Sequence, residues 1–181
     1  MEHVRPIRVI VTENTADGRS YIGSDSLASG TLVQPNRPTA LTDIWHIDRV
    51  PADPSSTGSA PEGRPFTLSP LEEGIVFRIV QFDPFSAEET AKLDSREIFE
   101  SMNAASEHVG DNSLSPFMHK TKTVDFGLIL QGSLTMFTDD GSIDVHAGDV
   151  IIQKATNHAW ENHGTEPALV AFILIDATES E

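Results

Sequence analysis

The sequence predicts an all-β fold, a sandwich or barrel, on three observations. The C-terminal third breaks into short segments rich in β-branched and aromatic residues. Turns bearing glycine separate them at nearly regular spacing, and a single region carries helical signals. Many short, evenly spaced strands close on themselves or on a second sheet, whereas strands alternating with helices would build a parallel sheet.

From the start of the chain, residues 7–11 (Ile-Arg-Val-Ile-Val) read as a strand, and Asp17-Gly18 as the turn into a second at 20–24. Residues 39–48, with Leu41, Ile44, Trp45 and Ile47, are another candidate strand, and 51–70, rich in Pro, Ser and Gly, read as a surface connection. Ile75 to Phe82 is a clear strand. Residues 86–105 are helical in two short pieces. Ser86-Ala-Glu-Glu89 and Asp94-Ser-Arg-Glu97 each have the spacing at which a capping side chain and a Glu three residues on satisfy the open N–H groups of a helix start. Glu88 and Lys92 add an i,i+4 pair. After a loop at 108–116, strands are expected at 126–130, 133–138, 143–146, 149–154 and 168–175. Gln131-Gly132, Asp139-Asp140-Gly141 and Ala147-Gly148 supply the turns.

Composition narrows the function. The chain has 181 residues, enough for one domain with a core, and its 28 acids against 12 bases give a net charge of −16. Such a field repels phosphate backbones, so a nucleic-acid partner is not expected. There is no cysteine, which removes disulfides, thiolate nucleophiles and cysteine zinc sites. No run of 18 apolar residues is present, and the first residues lack the apolar stretch of a secretory signal, so no membrane partner and a cytoplasmic location are expected. Gly-rich phosphate loops, dinucleotide fingerprints and serine elbows are absent, so no nucleotide cofactor is indicated. An anionic substrate would need a local positive focus, and a buried metal ion is one way to supply it.

The residues that carry chemistry are Met118-His119-Lys120-Thr121-Lys122-Thr123-Val124-Asp125, then Gly132, Gly148-Asp149 and Asn157-His158-Ala159-Trp160-Glu161-Asn162. In this order and spacing they resemble the two motifs of the cupin superfamily, over about residues 74–176. Asp125 and Gly132 keep the interval of seven between acid and glycine, and Asn162 follows His158 by four. The likeness is nearest to small single-domain cupins with Met-His-x-Thr and Thr-Asn-His-Ala-Trp segments. It implies a single jelly-roll barrel over 74–176, with one or two short helices before the first motif. A strand and loop extension over 1–73 would pack on the barrel or a partner, and 177–181 would be a tail. This sequence departs from the family where the first histidine of the usual pair is Phe117 and where Ala155 replaces a glycine.

The resemblance implies a metal site of His119, Asp125 and His158. Two imidazoles and a carboxylate suit Fe, Mn, Zn or Ni, conditional on Asp125 standing in for the lost ligand. The bland alternative is two histidines hydrogen-bonded inside a barrel mouth. Catalytic candidates are His119 and His158, with Glu107 and His108 in the preceding loop as acid–base groups. Phe117, Phe126, Trp160 and Met102 are the candidate pocket residues. His46 reads as a core or contact residue, His146 as surface and His163 as part of a turn. The expected activity is that of a metal-dependent lyase or isomerase: decarboxylation, dehydration or cyclisation of a small carbonyl or carboxylate metabolite through a stabilised enolate. Polyketide or aromatic metabolism is the setting the resemblance implies. A Fe(II) dioxygenase and a non-catalytic ligand-binding barrel are the alternatives, and a homodimer is the assembly it implies.

Overall fold

The computed structural model describes residues 4–54, 64–110 and 114–178. The expected connection at 51–70, the loop at 108–116 and the tail at 177–181 therefore lie partly outside the described residues. All pairings between strands are antiparallel. β1 (Arg8–Asn14) and β2 (Ser20–Leu27) form a hairpin of their own. β3 (Gly30–Val33), β4 (Thr39–Ile47) and β5 (Ile75–Phe82) precede two short helices, α1 (Ala87–Thr90) and α2 (Ser95–Glu100). After them come β6 (Thr123–Gln131), β7 (Ser133–Thr138), β8 (Gly141–His146), β9 (Val150–Lys154), β10 (Ala159–Glu161) and β11 (Ala168–Asp176).

Six of these make one sheet in the order β3-β4-β5-β11-β6-β9, and three make a second in the order β10-β7-β8. One apolar cluster joins them, with Val76, Val170 and Ile129 from the larger sheet and Leu134 and Val145 from the smaller. This is the all-β architecture predicted from the strand pattern, in the jelly-roll barrel form that the resemblance implies. β3 and β4, within the first 73 residues, are hydrogen-bonded members of the main sheet, since β4 pairs with β5 from Thr39↔Phe82 to Ile47↔Ile75.

Local chemistry sets the elements. Both helix starts are capped, the first by the full reciprocal box and the second by Asp94 alone, since the Glu97 carboxylate accepts from Asn36. The Ser86 hydroxyl and the Glu89 carboxylate exchange hydrogen bonds with each other's backbone N–H, and Asp94 accepts from Arg96 N–H at 3.0 Å. Helix ends at Glu100 rather than 105, because Asn103 takes a left-handed φ of 52° that no helix continues through. Gly132 turns β6 into β7 with φ 74°, and a Cβ there would lie 2.8 Å from the Pro167 carbonyl oxygen, so the motif glycine is required sterically. Ala155, where the family has glycine, also takes a left-handed φ, of 50°.

Strand alternation decides which residues see the interior. Arg78, Val80 and Phe82 of β5, Asp125 of β6, Gln153 of β9 and Phe172 and Leu174 of β11 face inward and line the cavity described below. Phe126 follows Asp125, so it points outward and is 42% exposed, in an apolar row with Phe77, Ile173 and Ile152. The expectation that Phe126 lines the pocket is corrected by that alternation.

Arg78, a charged residue in the middle of an apolar strand, is buried against Asp43. Its Nε donates to Asp43 Oδ1 at 2.5 Å and its Nη2 to Oδ2 at 3.1 Å. It also donates to the Thr67 and Leu68 carbonyls and lies over the Phe66 ring, fastening that segment to the barrel. Burial pushes the Asp43 carboxyl up, but His46 and Arg78 together outweigh burial and hold it below its ordinary value. Removing one partner of a buried pair leaves the other uncompensated, at a cost of about 3–5 kcal/mol. Asp43→Ala should lower unfolding stability by an amount in that range in urea titration at neutral pH; a change under 1 kcal/mol would contradict the role assigned to the pair.

Candidate functional site

The barrel encloses a cavity of about 660 Å³, its open mouth included. Leu41, Val80, Met102, Trp160, Phe172 and Leu174 give it apolar walls, and its polar groups converge from five segments. His119 and His158 sit side by side because their main chains pair. His119 N–H donates to the His158 carbonyl at 2.9 Å, and His158 N–H returns the bond to the His119 carbonyl at 3.0 Å. Directly opposed residues of an antiparallel pair project to the same face, and the ring centroids lie 4.3 Å apart.

Each imidazole is oriented by the carbonyl two residues before it. His119 Nδ1 is 2.9 Å from the Phe117 oxygen, and His158 Nδ1 is 2.8 Å from the Thr156 oxygen. A carbonyl oxygen only accepts, so Nδ1 carries the hydrogen and Nε2 keeps a lone pair. Burial, reinforced by the neighbouring His158, pulls the His119 pKa well below 6.5 against the opposing Phe117 bond. Burial likewise pulls His158 down to about 4, against its bond to Thr156. Both rings are therefore neutral acceptors at pH 7.

Asp125 lies in the same cavity, 3% exposed, and its Oδ1 is a buried oxygen with no hydrogen-bond partner among the described residues. Burial raises its pKa to about 6, although the Thr123 hydroxyl and the Arg78 charge pull the other way. Two lone pairs and an orphaned carboxylate oxygen are the donor chemistry a divalent ion takes, and the carbonyl bonds at Nδ1 are the kind that orient metal-bound histidines. The structure brings two of the three expected residues, His119 and His158, side by side. Among the described residues no three His, Asp or Glu side chains converge closely enough to hold one ion, so Asp125 does not complete the set as placed.

The remaining candidates divide. Phe117, Trp160 and Met102 line the cavity. His108 pairs in register with His119, but its ring stacks on Phe99 at 4.7 Å and its Nε2 lies 3.1 Å from the Pro116 oxygen. Glu107 accepts from the Ser106 hydroxyl, and its main-chain carbonyl from Lys120 N–H. Neither lines the cavity, so the expected acid–base role of His108 and Glu107 is corrected: the segment serves as an edge strand beside His119. His46 is bound to Asp43, His163 to Glu161, and His146 is exposed.

Sequence reasoning missed Arg37 and Phe99. Both line the cavity, Phe99 from α2 and Arg37 from the turn Pro35-Asn36-Arg37-Pro38 before β4. Phe99 could have been found as one of the apolar residues on the predicted second helix. Nothing local marks Arg37.

Residues 107–175 match the Cupin_2 family model, described as a cupin domain. This stretch is similar to a cupin domain. It carries both histidines, Asp125 and Trp160, while Arg37 and β3 to β5 lie outside it. Oryzines biosynthesis cluster protein J of Aspergillus oryzae is 39% identical over 64 residues, covering 34% of this chain and 36% of that protein. The cupin-domain-containing oxidoreductase srdD of Neurospora crassa is 36% identical over 66 residues, 34% of either chain. This chain thus matches about a third of the length of these curated relatives. Among solved structures, a Cupin 2 conserved barrel domain protein from Salinispora arenicola aligns with TM-score 0.44 and 14% identity, covering 81% of this chain and 82% of that one. Among the described residues no helix is long and apolar enough to cross a membrane.

The shifted groups of the cavity give a signed pH dependence. Between pH 6.5 and 5 the unfolded chain protonates both histidines and the folded one neither, so their neutral burial costs stability as pH falls through that window. Asp125 acts oppositely: its raised pKa adds stability below its unfolded value of 3.8, lost as pH rises through about 6. Two protons against one leave wild-type stability falling on acidification. The double variant His119→Gln/His158→Gln should shift the slope by about two protons, ~2.7 kcal/mol per pH unit, in urea titrations with chelator. An unchanged slope would contradict the neutral pair.

Proposed function

We propose that the cavity is the active site of an enzyme that moves a proton next to a carbonyl group in a small organic metabolite, chemistry of the isomerase or lyase type. The observation that carries this reading is Asp125, a carboxyl with an unpartnered oxygen inside an apolar cavity shared with two neutral imidazoles. A carboxylate raised to about 6 is ionised at neutral pH yet basic enough to accept a carbon-bound proton. In the step envisaged, the C–H bond breaks, its proton goes to Asp125 Oδ1, and the electron pair enters the carbonyl as an enolate. Return of the proton to a second carbon isomerises the compound; loss of a β-substituent instead eliminates it. The two Nε2 atoms accept hydrogen bonds from a hydroxyl or enol O–H of the substrate. A divalent ion, when bound, would be held by His119 and His158 and would polarise a substrate oxygen as a Lewis acid.

A second reading rests on the relatives named cupin-domain-containing oxidoreductases, srdD and, from Hypocrea virens, virC. The likeness to the oryzines biosynthesis cluster protein supports a secondary-metabolite substrate under either reading.

Proton transfer is tested by deuterium exchange. A panel of 1,3-dicarbonyl compounds and 2-oxo acids in D2O, followed by proton NMR, should show enzyme-dependent loss of the α-proton signal. Asp125→Asn should slow it about 10²–10⁴-fold, the usual contribution of a positioned base. No exchange above buffer, with oxygen consumed on the same panel, would favour the oxidoreductase reading.

A further inference from the structure

We propose that Arg37, seated on the ring of Phe117, is the binding group for a substrate carboxylate, so that the cavity takes an organic acid with an apolar body. This rests on the reading of the cavity as an active site and adds the class of compound it accepts.

Three observations carry it. The first is position. Arg37 lines the same cavity as His119, His158 and Asp125, and its guanidinium carbon stands 3.8 Å from the Phe117 ring centroid and 5.6 Å from that of Phe82. Phe117 is the residue standing where the cupin pattern has its first histidine. Its aromatic face supports a guanidinium instead of supplying a third imidazole, so the protein brings its own fixed cation to the place the motif assigns to a ligand.

The second observation is the state of the charge. Of the five N–H donors of an arginine, one makes a hydrogen bond among the described residues, from Nη2 to the Trp160 carbonyl at 2.6 Å. Among the described residues no carboxylate lies within ion-pair distance of Arg37. Glu161, whose field reaches it, is engaged elsewhere: Oε1 accepts from the Ser115 hydroxyl and Oε2 contacts His163 Nε2 at 2.7 Å. The other arginine of the cavity, Arg78, is spent on Asp43 and on two carbonyls. A partly buried guanidinium with no carboxylate in direct contact is costly, and a planar carboxylate is the partner its fork matches in two parallel bonds.

The third observation is the surroundings. In a chain of net charge −16, an anion would be repelled from the general surface, and Arg37 gives it one favourable place. The apolar walls suit a compound of modest size with an apolar body. Arg37 and the two histidines line one cavity, so an acid held at Arg37 shares that space with the imidazole pair.

The test compares benzoate with its neutral isostere benzamide, by isothermal titration calorimetry on the full chain with chelator present. Wild type should bind benzoate at least tenfold more tightly than benzamide. Arg37→Gln should bring the ratio to about one while still binding benzamide, and Arg37→Lys, which keeps the charge but not the fork, should leave an intermediate ratio. Equal binding of the two compounds by wild type would overturn the proposal, as would an unchanged preference in Arg37→Gln. If Arg37→Gln does not fold, the wild-type ratio and its fall in Arg37→Lys decide. A carboxylate preference without deuterium exchange on the dicarbonyl panel would leave the clamp standing and sink the proton-transfer reading.

Discussion

The site depends on two reciprocal backbone hydrogen bonds, 2.9 and 3.0 Å long, between His119 and His158. They lock segments 39 residues apart in sequence into register, and register alone puts both side chains on one face. The same device repeats at the side chains, since each ring is fixed by the carbonyl two positions before it. Orientation and tautomer are thus set by main chain, which a side-chain substitution elsewhere does not easily disturb. A slip of one residue in either segment would turn one imidazole out of the cavity.

Electrostatics in the barrel are decided case by case between burial and partners. At Asp43 two cationic or hydrogen-bonding neighbours outweigh burial, and the carboxylate stays ionised as a structural tie. At Asp125 burial wins, and the carboxyl is raised to about 6 with one oxygen unclaimed. At the two histidines burial wins in the other direction and keeps both rings neutral. Arg37 remains a cation, drawn down by burial only to about 10. Within one cavity the chain therefore places two acceptors, a basic carboxylate and an unspent positive charge. This combination favours acid–base chemistry on an anionic compound.

The barrel was legible because its signals are local. Ile75–Phe82, the capped helix starts and the glycine turns each reflect short-range chemistry, and Gly132 shows a steric need that a motif position can express. His119, Asp125 and His158 share a cavity, as their motif positions implied. β3 and β10 went unread because runs of four and three residues carry too little periodicity. Phe126 was misassigned, though alternation from Asp125 places it outside. His108 and Glu107 looked catalytic by proximity in sequence, but strand pairing beside His119 spends them on Phe99, Pro116 and Lys120. Arg37 was invisible because its importance comes from the distant Phe117 and Trp160, a relation that only the closed barrel creates.

The central claim is that small acids bind inside the barrel, against the paired histidines. The most direct measurement is a crystal structure after soaking with 4-bromobenzoate, with data collected at the bromine absorption edge. An anomalous peak within the cavity, with the carboxylate toward Arg37 and the ring against Phe117 or Trp160, is expected. A cavity without bromine, with the peak confined to the exposed row of Phe126, Ile173 and Ile152 on the outer sheet face, would contradict it.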